Sequence, residues 1–369
     1  MPCYRRLPGQ VISDGGSLLI KGGGQTKGLR LEGSARRIWE LLEYPVDLEQ
    51  LARTLAAEFA ADSDTIATDA AGFIAALEAR GLTEAVASPT PDDLQRTRYL
   101  SLLKRALVNL LYPDHEMRMD LLNGVYDEPD PLEQTRYLRD IRYREPQRYQ
   151  RLTAAKLAAG HTGELIYGFP HTMIGMAALD NIERCAERVF DEGIQGDFFE
   201  AGVCQGGAAI FLRALQIAYG EGHRQTWLAD SFEGLPACRS APDIAAGIDW
   251  SEASRPQFAF SEEGVRDNFI RYDLLDDRVR FLPGWFSESL PGAEVGPLAI
   301  LRIDADLYES TRDVLQQLYA KVSPGGFVIV DDYCFLPPCR QAVEEFRSEH
   351  GIAEPLTYVN HSCVYWRKT

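Results

Sequence analysis

No apolar run in this 369-residue chain approaches the ~20 residues that a bilayer-spanning helix needs. The start, Met1-Pro2-Cys3-Tyr4-Arg5-Arg6, has no apolar signal core, so a cytoplasmic protein without a membrane partner is expected. Basic residues are scarce: 38 Lys and Arg stand against 55 Asp and Glu, a net charge of −17. No basic stripe offsets that deficit, so no nucleic-acid partner is expected. Aromatics do interleave with Arg between 114 and 165, but Asp127, Glu128, Asp130 and Glu133 are as dense there. Cysteines number seven, odd and scattered, which excludes a disulfide framework. Cys334 and Cys339 flank Phe-Leu-Pro-Pro, with no CxxC or HxxxH pair nearby to make a zinc site. What remains is ordinary: 45% hydrophobic and 25% charged residues fit a globular protein, and the length calls for two domains.

The first quarter reads as a small α+β unit. Val11-Ile12 and Leu18-Leu19-Ile20 flank the turn signal Ser13-Asp14-Gly15-Gly16, which predicts a hairpin. After Gly22-Gly23-Gly24 comes a third short run, Leu29-Arg30-Leu31. Three amphipathic helices follow: one with Ile38, Trp39, Leu41 and Leu42, capped by Ser34 and ended by Pro45; one with Leu48, Leu51, Leu55 and Phe59; one with Ile66, Phe73, Ile74 and Leu77, stopped by Gly81. Three strands then three helices is the layout of a winged-helix-like domain, assigned to 1–88. Ala87-Ser88-Pro89-Thr90-Pro91-Asp92-Asp93 reads as a Pro-rich linker. A strongly helical stretch, Tyr99 to Tyr112, opens a segment, 89–165, expected to be a linker followed by a helical lid or dimer arm, which makes a homodimer the expected assembly.

From Asp197 the pattern alternates strand and helix, so 166–369 is expected to be an α/β domain with a doubly wound, mostly parallel Rossmann-like sheet. Two apolar runs there end abruptly in acids: Leu298–Ile303 before Asp304, and Phe327–Val330 before Asp331-Asp332. Buried parallel strands present such residues at their carboxyl edge, where open α/β sheets bind ligands. Asp304, Asp331 and Asp332 are therefore candidate ligands for a hard divalent cation. Helix capping explains one of them but not the tandem pair. Asp306, Tyr308 and Glu309 read as a turn and helix start. Glu200-Ala201-Gly202-Val203-Cys204-Gln205-Gly206-Gly207 follows a strand and opens a helix. It lacks the Lys-Ser/Thr of a phosphate-gripping loop, and its glycines let a ligand approach the backbone. Asp230, at the end of the next strand, suits a ribose diol. NAD and S-adenosylmethionine both meet that description; the missing GxGxxG spacing favours the methyl donor.

Longer motifs carry two resemblances. Gly33 to Leu42, Leu48 to Ala52 and Phe73 to Leu82 resemble the PqqD-like family, whose members resemble elements that bind leader peptides of ribosomally made natural products. The implied mode is a peptide strand added to a sheet edge, with a precursor peptide as partner; the competing reading is a domain used only for dimerisation or packing. Glu200 to Gly207, Trp227 to Pro236, Gly284 to Pro291, Arg302 to Thr311, Pro324 to Tyr333 and Val364 to Lys368 occur in the order found in the macrocin O-methyltransferase family. With Tyr99 to Asn109 and His171 to Gly175, that similarity runs from about Tyr99 to the C-terminus. It implies S-adenosylmethionine and Mg²⁺ as cofactors and a sugar hydroxyl as acceptor. By position it implies a donor pocket shaped by Glu200, Gly202 and Gly206, with Asp230 and Ser231 at the ribose and Thr172 and Met173 at the amino-acid end. It also implies metal ligation by Asp304, Asp331 and Asp332. The family commonly has Trp-Arg where this chain has Cys204-Gln205.

Trp285 is expected at the pocket rim, against adenine. Asp304 is the expected catalytic base as well as a ligand. His171 is the alternative base, against a helix-entry hydrogen bond. The function expected from this combination is an S-adenosylmethionine- and Mg²⁺-dependent O-methyltransferase of natural-product biosynthesis acting on a ribosomally made peptide or a group carried on it. The alternatives are a free sugar-bearing small molecule as acceptor, with the N-terminal domain structural, or a non-catalytic peptide-binding partner protein.

Overall fold

The computed structural model describes residues 3–7, 10–14, 17–21, 28–42, 45–115, 117, 141–162, 170–247 and 258–369. Residues 118–140 of the expected lid, with the acidic tract from Asp127 to Glu133, and Tyr167 to Phe169 lie outside the described residues. Clustering of backbone contacts divides the chain into two compact units, Met1–Ser101 and Leu102–Thr369.

The first unit is more interleaved than three strands followed by three helices. Strands β1 (Cys3–Arg6), β2 (Gln10–Asp14), β3 (Ser17–Lys21) and β4 (Leu29–Leu31) precede helix α1 (Gly33–Leu41). Strand β5 (Val46–Asp47), helices α2 (Leu48–Phe59) and α3 (Ser63–Glu78), and strand β6 (Thr83–Val86) follow. β2 and β3 form the expected hairpin, with β4 added beside β3, while β1 pairs with both β5 and β6 in a second sheet. Trp39, Leu51, Leu55, Ile74 and Leu77 from the three helices share a core with Ile20 and Leu31. Asp47 and Asp62 cap α2 and α3, accepting from the N–H of Gln50 (2.7 Å) and Thr65 (2.9 Å). Ser34 does not cap α1, which starts one residue earlier.

The Pro-rich stretch before residue 93 opens a helix. α4 runs Pro91–Leu107. Thr90 Oγ1 accepts from Asp93 N–H at 3.1 Å and Asp93 Oδ2 accepts from Thr90 N–H at 2.9 Å. That reciprocal pair is a capping box, and proline at the first helical position costs no hydrogen bond.

In the second unit, α5 (Pro146–Thr162) and α6 (Gly175–Asp191) precede a seven-stranded sheet. Its elements are β7 (Asp197–Ala201), α7 (Gly207–Ala218), β8 (Thr226–Asp230), α8 (Ala241–Ala245), α9 (Glu262–Arg271) and β9 (Val279–Pro283). They continue with α10 (Phe286–Ser289), β10 (Leu298–Ile303), α11 (Tyr308–Leu318), β11 (Val322–Val330), α12 (Pro337–Glu349), β12 (Thr357–Tyr358) and β13 (Val364–Arg367). The strand order is β12-β13-β11-β10-β7-β8-β9; β7 to β11 are parallel, and β12 and β13 join antiparallel. This is a Rossmann-like sheet in which the direction of winding reverses between β7 and β10. Every residue of β10 is buried, with α6 and α11 packed against it. An unbroken apolar run with one charge, Arg302, is the sequence of such a strand.

Candidate active site

The carboxyl ends of β7, β8, β10 and β11 converge on a cavity of about 680 Å³. It opens at the switch point of the sheet, the general ligand position in this architecture. Gly202, Asp230, Asp304, Asp331 and Asp332 line it from those strand ends, and Glu200 from within β7. Thr172 and Met173 line it from the approach to α6, and Ser231 and Trp285 from the loops after β8 and β9. Of the residues expected at the donor pocket, only Gly206 is not in the wall. It turns the chain into α7 with φ +85°, and a Cβ there would stand 2.7 Å from Val265 Cγ1.

Gly202 is needed for a different reason than ligand approach alone. Its φ is +82°, and a Cβ would stand 1.8 Å from the carbonyl oxygen of Asp304. The loop after β7 therefore lies flat on the end of β10. Asp304 N–H donates to Ala201 O (2.8 Å), and Gly202 N–H donates to Ala229 O (2.9 Å). Asp230 ties the same loop to β8. Its Oδ2 accepts from Val203 N–H at 2.7 Å and its Oδ1 from Phe232 N–H at 2.8 Å. Burial raises its proton affinity while these backbone donors lower it. Ser231 Oγ donates to Gly234 O at 2.6 Å, fixing the turn that follows.

Arg302 organises the acids and is not among the site residues expected from sequence, although a charge inside an apolar strand is its signal. It is 1% exposed. Its Nη1 donates to Glu200 Oε1 at 2.5 Å and Asp304 Oδ2 at 3.0 Å, and its Nη2 lies 3.1 Å from Asp331 Oδ1. Burial would weaken the guanidinium's hold on its proton, but Asp304, Asp331 and Glu200 reverse that. Burial pushes Glu200 up to about 8, with Arg302 pulling it back. Burial and the charge of Asp304 push Asp331 up to about 7.

The carboxylates that converge are not quite the expected three. Asp304, Asp306 and Asp332 each offer an oxygen, and the three oxygens lie within 4.8 Å of one another. Asp331 instead faces Arg302. Asp306 joins the group because its backbone is left-handed, φ 57°, which returns the chain toward β11; its N–H reaches Asp332 Oδ2 at 3.3 Å. Burial, then the neighbouring carboxylates, raise both Asp306 and Asp332 well above the usual carboxylate range. Three oxygens so close, with Arg302 paired to Asp304 alone among them, fit one hard divalent cation.

His171 lines the cavity, but its Nδ1 is engaged with Tyr272 Oη at 2.7 Å and its carbonyl accepts from Gly207 N–H at 3.0 Å. Burial and the charge of Arg271 lower its proton affinity. At the departure from the family pattern, Cys204 also lines the cavity with φ 47°, and burial pushes its thiol up to about 12. Gln205 points elsewhere, donating from Nε2 to Pro170 O at 3.0 Å.

Residues 96–368 match the family described as Macrocin-O-methyltransferase (TylF). The chain belongs to this macrocin O-methyltransferase family. It is an S-adenosylmethionine-dependent O-methyltransferase. Residues 20–82 match Coenzyme PQQ synthesis protein D (PqqD), so a PqqD domain precedes the catalytic one. An 8-demethyl-8-(2,3-dimethoxy-alpha-L-rhamnosyl)-tetracenomycin-C 4'-O-methyltransferase of Streptomyces olivaceus is 40% identical over 274 residues, 74% of this chain and 94% of the relative. The demethyldecarbamoylnovobiocin O-methyltransferase of Streptomyces niveus is 49% identical over 201 residues, covering 54% of this chain and 76% of the relative. Among solved structures, the O-methyltransferase NovP is 38% identical with a TM-score of 0.61, covering 74% of this chain and 99% of that one. Such relatives make this methyltransferase an enzyme of natural-product biosynthesis. No described helix is long and apolar enough to cross a membrane.

Proposed function

We propose that the enzyme methylates a sugar hydroxyl of a glycosylated natural product, using a divalent cation, Mg²⁺, held by Asp304, Asp306 and Asp332. The observation that carries this is the convergence of those three carboxylates beside Gly202 and Asp230 in one cavity. The relative from Streptomyces olivaceus acts, by its name, on a rhamnosyl-tetracenomycin, which supports a free glycoside ahead of a peptide acceptor. The intact acid set argues against a non-catalytic role.

When bound, S-adenosylmethionine supplies an electrophilic methyl and the cation lowers the pKa of the acceptor hydroxyl. The chain's own residues do the rest. Glu200, Gly202, Asp230 and Ser231 would form the donor end of the cavity, where Thr172 and Met173 would meet the amino-acid moiety and Trp285 the adenine. Asp304 Oδ2 is already engaged by Arg302 Nη1, which suits a fixed ligand. The carboxylate of Asp306 accepts no hydrogen bond from a described residue, leaving it available for the proton of the acceptor hydroxyl. This moves the base role from Asp304, and from His171, whose ring is engaged by Tyr272.

The PqqD domain supports a second reading, in which the acceptor is carried on a precursor peptide held by that domain. One experiment separates them. The full chain is incubated with S-adenosylmethionine, Mg²⁺ and either desmethyl glycosides or precursor peptides, and products are read by mass spectrometry. Methyl addition to a sugar supports the first reading; methylation of the peptide alone overturns it.

A further inference from the structure

Beyond the ends of two neighbouring strands, further side chains flank the acid triad. Glu309 follows Asp306 by three positions at the start of α11, and Phe335 follows Asp332 by three positions after β11. Both line the cavity, and so does Asp313, one helical turn beyond Glu309. Phe335 is 58% exposed, a large apolar ring left against water. Its backbone is anchored: Phe335 N–H donates to Asp332 O at 3.1 Å and Cys334 N–H donates to Ser362 O at 2.7 Å. On α11, Arg312 pairs with Glu349 at 2.7 Å and Tyr308 Oη donates to Glu345 at 2.5 Å. Glu309 and Asp313 have no such partner among the described residues. Glu309 sits in the first turn, where the helix N-terminus favours an acid, but a like charge one turn on weakens a helix, so Asp313 serves nothing local. Deeper in the cavity wall, toward the donor end, Glu200 is 1% exposed and its Oε2 has no hydrogen-bond partner among the described residues. Buried acceptors of this kind ask for a ligand that donates.

An aromatic face and acceptor-only carboxylates around one cavity are the chemistry that recognises a carbohydrate. Ring C–H groups pack on the aromatic face, and hydroxyls donate to carboxylate oxygens. The same carboxylates repel an anionic ligand. We propose that Phe335, Glu309 and Asp313 form the acceptor subsite: the sugar ring packs on Phe335, and the hydroxyls that are not methylated donate to Glu309 and Asp313. The subsite accepts neutral or amine-bearing sugars and refuses uronic acids. This rests on the sugar-hydroxyl reading above.

The test uses the full chain with Mg²⁺ and 4-nitrophenyl glycosides of a neutral 6-deoxyhexose, an amino-hexose and a hexuronic acid, following release of S-adenosylhomocysteine. Isothermal titration of S-adenosylhomocysteine checks that each variant keeps a folded donor site. The expected result is turnover of the neutral and amino glycosides but not the uronide. Phe335→Ala and Asp313→Asn then raise KM for the glycoside by about 10-fold, with kcat changed by less than about threefold. Phe335→Tyr restores the wild-type KM, and donor affinity is kept throughout. Turnover of the glycoside with KM unmoved in both variants, or equal turnover of the uronide, overturns the subsite and leaves the sugar-hydroxyl reading standing. No turnover of any glycoside overturns both.

Discussion

Arg302 and Glu200 are register partners on adjacent parallel strands, and their side chains meet at 2.5 Å across the switch point of the sheet. The guanidinium also reaches Asp304 and Asp331, so one buried cation ties β7, β10 and the end of β11 together at the floor of the site.

Removing that cation leaves buried acids uncompensated. Arg302→Met is expected to lower stability by about 3–5 kcal/mol, read from urea denaturation. The double change Arg302→Met with Glu200→Gln is expected to recover part of the loss, because one uncompensated carboxylate has gone with its partner. A single variant as stable as the wild type contradicts the account.

Gly202 tests the backbone half of the site. An Ala at this position faces both a φ of +82° and the carbonyl oxygen of Asp304. The loop and the end of β10 must separate, and both are backbone. Gly202→Ala is expected to cost about 4 kcal/mol or more and to abolish donor binding. Thermal denaturation and titration with S-adenosylhomocysteine check this together.

The sheet, the glycine turn after β7 and the acids at the strand ends are legible in the sequence, because each rests on a pattern that survives without coordinates. Apolar β-branched runs ending in Asp304 and Asp331 are legible from period and composition alone. Asp306 is different. Its place in the triad depends on one left-handed residue, and counting positions from a strand end says nothing about the direction of the turn. Asp331 and Asp332 are equivalent in sequence, but neighbours along a chain project differently, and only one could face Arg302. The capping box hidden in Thr90-Pro91-Asp92-Asp93 reads as a linker in sequence because proline signals a break more loudly than it signals a first turn.

His171 gives a pH prediction. Burial and Arg271 lower its folded pKa below the ordinary 6.5. Between the two values the unfolded chain binds more protons than the folded one, so this contribution to stability is intact above the ordinary value. It is lost as pH falls through the window to the folded value. His171→Gln lacks the loss. The stability of the wild type relative to His171→Gln, from urea curves between about pH 8 and pH 5, is expected to decline toward acid. A flat difference contradicts it.

The direct test of the methyl-transfer site is the Mg²⁺ dependence of turnover in wild type, Asp306→Asn and Asp331→Asn, with a desmethyl glycoside as acceptor. The account predicts that chelation silences the wild type. It predicts that Asp306→Asn loses about 100-fold or more in turnover with weaker response to Mg²⁺. Asp331→Asn, facing Arg302 instead of the triad, is predicted to keep the Mg²⁺ response. Full turnover in the presence of chelator, or an Asp306→Asn enzyme with the wild-type Mg²⁺ curve, contradicts it.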